Sequence, residues 1–153
     1  MLRFALGILI LFVFCFSKTE PRTTSGMVKK YYLVADWSAN YDSAFRLASM
    51  AGKLLDAPVE LRGLKPDPMY GLTTDEICGC GEMHGYIPRG RFDDGDQVSI
   101  EFSSEYSFPI QNVYLVMVGS GDSLHLGATQ TKLKDFFPGN TLFSDSVFMG
   151  CMH

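Results

Sequence analysis

Apolar and polar positions along this chain follow two periods, and the switch from one to the other occurs twice in the same order. Residues 31–37, YYLVADW, are rich in aromatic and β-branched side chains and predict a strand. Ala44, Leu47, Ala48, Ala51, Leu54 and Leu55 then recur at spacings of three and four, with Arg46 and Lys53 outside the stripe. That is the period of an amphipathic helix. Asn40 stands where a side-chain oxygen accepts free amides of a first helical turn, and Asp42 suits the positive end of the helix dipole. Pro58 closes the helical zone, and residues 59–64 are expected to return as a strand.

The second half repeats this order more loosely. Residues 113–118 predict a strand, and Gly119, Ser120, Gly121 and Asp122 a turn. Leu126, Gln130, Leu133, Phe136 and Phe137 mark a helix of weak propensity, because Gly127 and β-branched threonines lie inside it. Pro138, Gly139 and Asn140 stop it, and residues 141–149 predict the last strand. Two βαβ units of this kind predict an α+β, ferredoxin-like fold. It would be a four-stranded antiparallel sheet with both helices on one face, plus an inserted strand or hairpin.

Strict alternation sorts the strand residues between the two faces. It sends Tyr32, Val34, Tyr114, Val116 and Val118 toward the helices, and Tyr31, Leu33, Leu115 and Met117 to the other side. That other face is also apolar, so it is expected to be covered or to bind something. The segment between the halves, about 65–111, is the expected insertion and cover. It opens with Pro66, Pro68 and Gly71, and continues through 85–92 and an acidic turn at Asp93, Asp94, Gly95 and Asp96. It then offers QVSIEF, residues 97–102, whose alternation predicts a half-buried strand, and this hairpin-like unit is expected either to extend the sheet or to fold over its open face.

The N-terminus sets the expected compartment. Arg3 precedes an unbroken apolar run, FALGILILFVFCF, which ends abruptly at Lys18, Glu20 and Arg22. The run is shorter than the roughly 20 residues a spanning helix needs and has the length of a signal-peptide core. Residues 1–17 are therefore expected to be a signal peptide, 18–28 a polar linker and 29–153 one domain, exported to the periplasm or cell envelope. Cleavage after Ser17 is the favoured mode. Cleavage before Cys15, as in a lipoprotein, is the alternative, and its N-terminal lipid anchor would be the chain's only link to a membrane. The 17 acidic residues outnumber 13 basic ones, for a net charge of −4. No basic run exists, so nucleic acid is not an expected partner.

An exported chain whose halves each read strand, small-residue turn, Asp/Ser-rich helix start, Ala/Leu helix and strand resembles a SPOR (sporulation-related repeat) domain. The residues that carry the likeness are YYLVADWSANYDSAFRLASMAGKLL, 31–55, and VYLVMVGSGDS, 113–123, with Ala35 and Gly119 at the strand-end glycine positions. The resemblance implies an RNP-like βαββαβ fold. It also implies binding of peptidoglycan glycan strands on the helix-free sheet face, where Tyr31, Leu33, Leu115 and Met117 would be the contact residues.

Catalytic signatures are absent. There is no Walker loop, HExxH, dinucleotide fingerprint or Ser-His-Asp pattern, so the chain is expected not to be an enzyme and to need no cofactor. GSGDS reads as a strand–helix turn capped by Asp122 or Ser123. His125 has no catalytic partner, and Trp37 reads first as a core residue and second as a sugar platform. The soft-ligand residues sit in ICGCGEMH, 77–84, and MGCMH, 149–153. In an oxidising compartment a disulfide from Cys78 or Cys80 to Cys151 is the leading reading. It would contribute about 3–5 kcal/mol by restricting the unfolded chain. A metal site from Cys78, Cys80, His84, Cys151 and His153 is the minor one, since Cys-x-Cys is not the usual zinc spacing. Unpaired thiols stand between the two.

The expected function is therefore non-catalytic binding in the cell envelope, with glycan strands as the ligand. The alternatives are an envelope domain that binds a protein or serves structurally, and a metal-binding periplasmic protein.

Overall fold

The computed structural model describes residues 27–74, 88–89 and 95–148. The expected signal peptide, most of the linker, all four cysteines, His84 and His153 lie outside the described residues. The elements are β1 (Met27–Ser38), α1 (Tyr41–Leu55), β2 (Lys65–Asp67), β3 (Gly71–Thr73), β4 (Ser99–Phe102), β5 (Tyr114–Gly121), α2 (Ser123–Leu133) and β6 (Thr141–Phe148), with a 3-10 turn at Ser103–Glu105.

β4, β5, β1 and β6 form one antiparallel sheet in that order, and β2 pairs with β3 separately. Each helical crossover thus joins two strands that run the same way with a third between them. β1–α1–β4 is split by β5, and β5–α2–β6 is split by β1. This is the ferredoxin-like α+β arrangement expected from the two repeats.

The second strand of that arrangement is not the expected one. Residues 59–64 do not enter the sheet as a strand; Val59 makes a single parallel bridge to Val98. Arg62 and Gly63 take φ of 54° and 69°, which no extended strand tolerates. The strand role falls to Ser99–Phe102, inside the segment read as an insertion. What lies between α1 and the second strand is therefore a long connection carrying the β2–β3 hairpin. β1 also begins earlier than expected, at Met27, and β5 continues through Gly119, Ser120 and Gly121.

Capping follows the sequence. Asn40 Oδ1 accepts the Ser43 amide at 2.9 Å, and Asp122 Oδ1 accepts the amides of Leu124 and His125 at 3.0 and 2.9 Å. α1 meets the sheet through Ala44, Ala48 and Ala51, small side chains that let the backbones come close. α2 contributes Leu126 and Leu133, and Phe137 follows from beyond its end. Phe136, read as a helix position, lies past α2 and is exposed.

One phase is reversed from expectation. Leu33 and Ala35, with Tyr31 alongside, join the helix-side core with Val116, Val118 and Ile100. Tyr32 and Val34 join Leu115 and Met117 on the opposite face. Both faces of β1 are apolar, so alternation alone gives two sets without saying which meets the helices. A register irregularity between Leu33 and Asp36 also skips Ala35 and Val118, which moves Trp37 to the same face as Tyr32 and Val34.

Candidate functional site

The helix-free face was the expected binding surface. It is closed by the chain itself. After β4 the backbone turns at Ser103–Glu105 and lays Tyr106, Phe108 and Val113 over Tyr32, Val34, Leu115 and Met117. Tyr32 stacks on Phe143 at 5.3 Å between ring centroids and meets the Tyr106 ring edge-on at 5.2 Å. Phe108 packs edge-on against Phe143 at 5.3 Å and Trp37 at 5.9 Å. Trp37 therefore serves the core under this arm. The arm is pinned at its far side by Asp145, which accepts the Ser107 amide at 2.7 Å and the Ser107 hydroxyl at 3.1 Å.

Of the four expected contact residues, Leu33, Leu115 and Met117 are 0% exposed, so none reaches a ligand. Leu33 and Tyr31 lie on the helix side. Within the segment expected as the cover, about 65–111, Ser99–Phe102 extends the sheet and Tyr106 and Phe108 lie over the face, with Val113 just beyond; residues 75–87 and 90–94 lie outside the described residues.

A buried polar knot locks this face at the β4 edge. Glu101, 0% exposed, accepts from Arg62 Nη2 at 2.6 Å, the Arg89 amide at 3.1 Å and the Tyr106 hydroxyl at 3.0 Å. Arg89, 1% exposed, donates its guanidinium to the Gln97 carbonyl at 2.6 Å, the Met117 carbonyl at 3.3 Å and the Gly95 carbonyl. Burying such charges is costly unless they are compensated; Glu101 is paired with Arg62, and the Arg89 guanidinium is held by backbone carbonyls. One carboxylate thus ties together the β2 approach, the segment at Arg89 and the covering arm.

The opposite situation holds at the β2–β3 hairpin. Its turn presents Met69, 79% exposed, and Tyr70, 54% exposed, to solvent. Beneath them the turn is braced. Asp67 Oδ1 accepts the Met69 and Tyr70 amides, both at 2.8 Å. Gly71, at φ +74°, sits flat on the Phe102 ring, where a Cβ would overlap the ring atoms. The Tyr114 hydroxyl donates to the Gly71 carbonyl at 3.1 Å. Tyr114 in turn packs on Phe102 at 5.3 Å and Tyr41 at 5.4 Å. Partial burial raises the Tyr41 phenol above 10.0, helped by Tyr114 and Asp42; burial, then Asp67, does the same to Tyr114. Tyr41 and Tyr114 therefore stay neutral and able to donate at physiological pH. The only charges in the hairpin, Lys65 and Asp67, are opposite, so the tip is an apolar, locally neutral knob on a fixed base.

Sequence reasoning read this stretch only as loop signals. The cue was present: Asp67-Pro68 and Gly71 bracket two large apolar residues, a turn signature around a hydrophobic tip.

Among the described residues the remaining chemistry-bearing side chains form no further centre. His125 is exposed and lies 3.7 Å from the exposed Asp96. Among the described residues, no group of three His, Cys, Asp or Glu side chains is placed to hold a metal. The cysteine and C-terminal histidine clusters lie outside them. No helix among the described residues is long and apolar enough to cross a membrane. The chain has no match among protein-family models, curated proteins or solved structures.

Proposed function

We propose that this chain is a non-catalytic binding domain of the cell envelope that meets a protein partner through the braced Met69–Tyr70 tip. The observation that carries this reading is a contrast. The sheet face expected to bind glycan is covered by the chain's own aromatic arm, whereas the hairpin tip is exposed and its turn amides are held by Asp67. A rigid apolar knob loses little conformational entropy on docking, and aromatic anchors dominate binding energy at protein interfaces. The knob lacks the basic residues that would draw it to an anionic membrane surface. A glycan strand would want hydrogen-bonding groups beside aromatic platforms, and the covered face offers it neither.

The test is a photo-reactive residue placed at position 69 in exporting cells, with position 132 on α2 as control. A discrete protein adduct is expected at 69 and none at 132, and Tyr70→Ser should abolish it. Equal labelling at both positions would defeat the proposal. So would retention of the purified chain on amidase-treated peptidoglycan sacculi, which would return the ligand to glycan strands.

A further inference from the structure

The two edges of the sheet are finished differently. The β4 edge is short, and residues 58–60 close it. The Glu60 amide donates to the Val98 carbonyl at 2.8 Å, and the Val98 amide to the Pro58 carbonyl at 2.9 Å. The β6 edge runs through Thr141–Phe148 in unbroken register with β1. Among the described residues nothing pairs with its outer side. It contains no proline, no lysine and no bulge, three of the usual means of keeping an edge from pairing.

Its one charge is tied down by hydrogen bonds. Asp145 is held on the sheet face by Ser107. Asp145 Oδ1 also accepts the Ser146 amide at 2.7 Å, so that amide does not serve the β1 ladder. By the alternation of an antiparallel strand, the amides and carbonyls of Leu142 and Ser144 then face outward too. A row of such groups is satisfied by another extended strand.

We infer that β6 is a self-pairing edge. Two copies of the chain join β6 to β6, antiparallel about a twofold axis, and their sheets become one. The strand's own side chains choose the register. An axis at Phe143 sets Phe143 against its twin, Leu142 against Ser144 and Thr141 against Asp145. An axis at Asp145 would oppose two like charges, which disfavours it. Phe143 and Val147 are only half-buried in one copy, and a neighbouring strand would cover them further. A second copy fits better than a foreign strand because this register leaves the only charge of each strand opposite a hydroxyl. The inference does not depend on the hairpin tip, which lies at the β4 edge through Gly71 and Phe102. A β6-paired dimer would carry one tip at each far end.

Sedimentation velocity of the full chain, from micromolar to submillimolar concentration, tests it. A reversible monomer–dimer equilibrium is expected. Ser144→Pro removes an outward amide at an edge position, where proline is tolerated, and should weaken dimerisation at least tenfold. Ser144→Ala should dimerise like the parent. A parent that stays monomeric throughout, or a folded Ser144→Pro that dimerises unchanged, overturns the inference. Should Ser144→Pro fail to fold, amide exchange of the parent decides. Slowing of the Leu142 and Ser144 amides with rising concentration supports the self-pairing edge, and concentration-independent exchange refutes it.

Discussion

Glu101→Gln isolates the charge at the centre of the buried knot while preserving its shape. Among the described residues the carboxylate accepts from Arg62, the Arg89 amide and the Tyr106 hydroxyl. A glutamine side chain has one acceptor oxygen and one amide nitrogen. Whichever way it is turned, its NH2 group meets a donor where a carboxylate oxygen stood. If the oxygen stays with Arg89 and Tyr106, the Arg62 guanidinium, with 23% of its side chain exposed, loses its counter-ion. If the oxygen faces Arg62, the two donors on the other side lose their acceptor, and leaving such a buried group unsatisfied costs roughly 1–3 kcal/mol. Breaking a buried ion pair by removing one charge costs about 3–5 kcal/mol. Because Arg62 retains some water, the lower end applies, about 3 kcal/mol. For a domain of about 125 residues, with an unfolding entropy near 2.1 cal/mol/K per residue, this lowers Tm by about 11 °C. Urea denaturation followed by far-UV circular dichroism gives the free energy, and the m-value should hold if only stability changes. Tyr106→Phe removes one of the three donors and should cost about 1 kcal/mol in the parent, but less in the Glu101→Gln background. A Glu101→Gln chain within about 0.5 kcal/mol of the parent, the ordinary range for a surface change, would refute the view that this charge locks the covering arm.

Two further outcomes follow from local geometry. Gly71→Ala combines a left-handed φ with overlap on the Phe102 ring and should cost about 2–4 kcal/mol by thermal denaturation, and it should also weaken labelling from position 69. At Asp122 the His125 amide, then the Leu124 amide, holds the carboxyl below its ordinary 3.8. A folded-state pKa lowered in this way stabilises α2 above the unfolded value, and the effect is lost as pH falls through the lowered one. Asp122→Asn keeps an acceptor oxygen without titrating, so its Tm should fall less steeply below about pH 4 than the parent's.

The parts of the fold that were legible were those written in local pattern. Both helices, both caps and three of the four sheet strands follow from period, capping residues and turn residues. The second strand was misread because residues 59–64 follow a helix at the distance a return strand should, whereas QVSIEF comes long after it. Only the left-handed turn at Arg62 and Gly63 takes the earlier segment out of contention. The face assignment of β1 was illegible for a different reason. A strand apolar on both sides carries no contrast to orient it, and the irregularity at Ala35 changes phase within the strand. The candidate site was the least legible part. Glu101 alternates with Ile100 as a solvent-facing residue should, yet it is buried by Arg62, 39 positions away, and by Arg89, 12 positions away.

What the sequence determined by itself was the class of fold, through two repeats of a strand–helix pattern, each set by short-range sterics and capping. It also laid down two apolar sheet faces, because hydrophobic side chains at both parities must be covered from both sides. The tertiary structure decided what covers the second face. Covering it required Tyr106 and Phe108 to meet Tyr32 and Phe143, and Glu101 to gather three donors from distant segments. Those contacts depend on where the chain returns in space, which no local period records. By closing that face they leave the Met69–Tyr70 tip exposed and the outer side of β6 unpaired among the described residues.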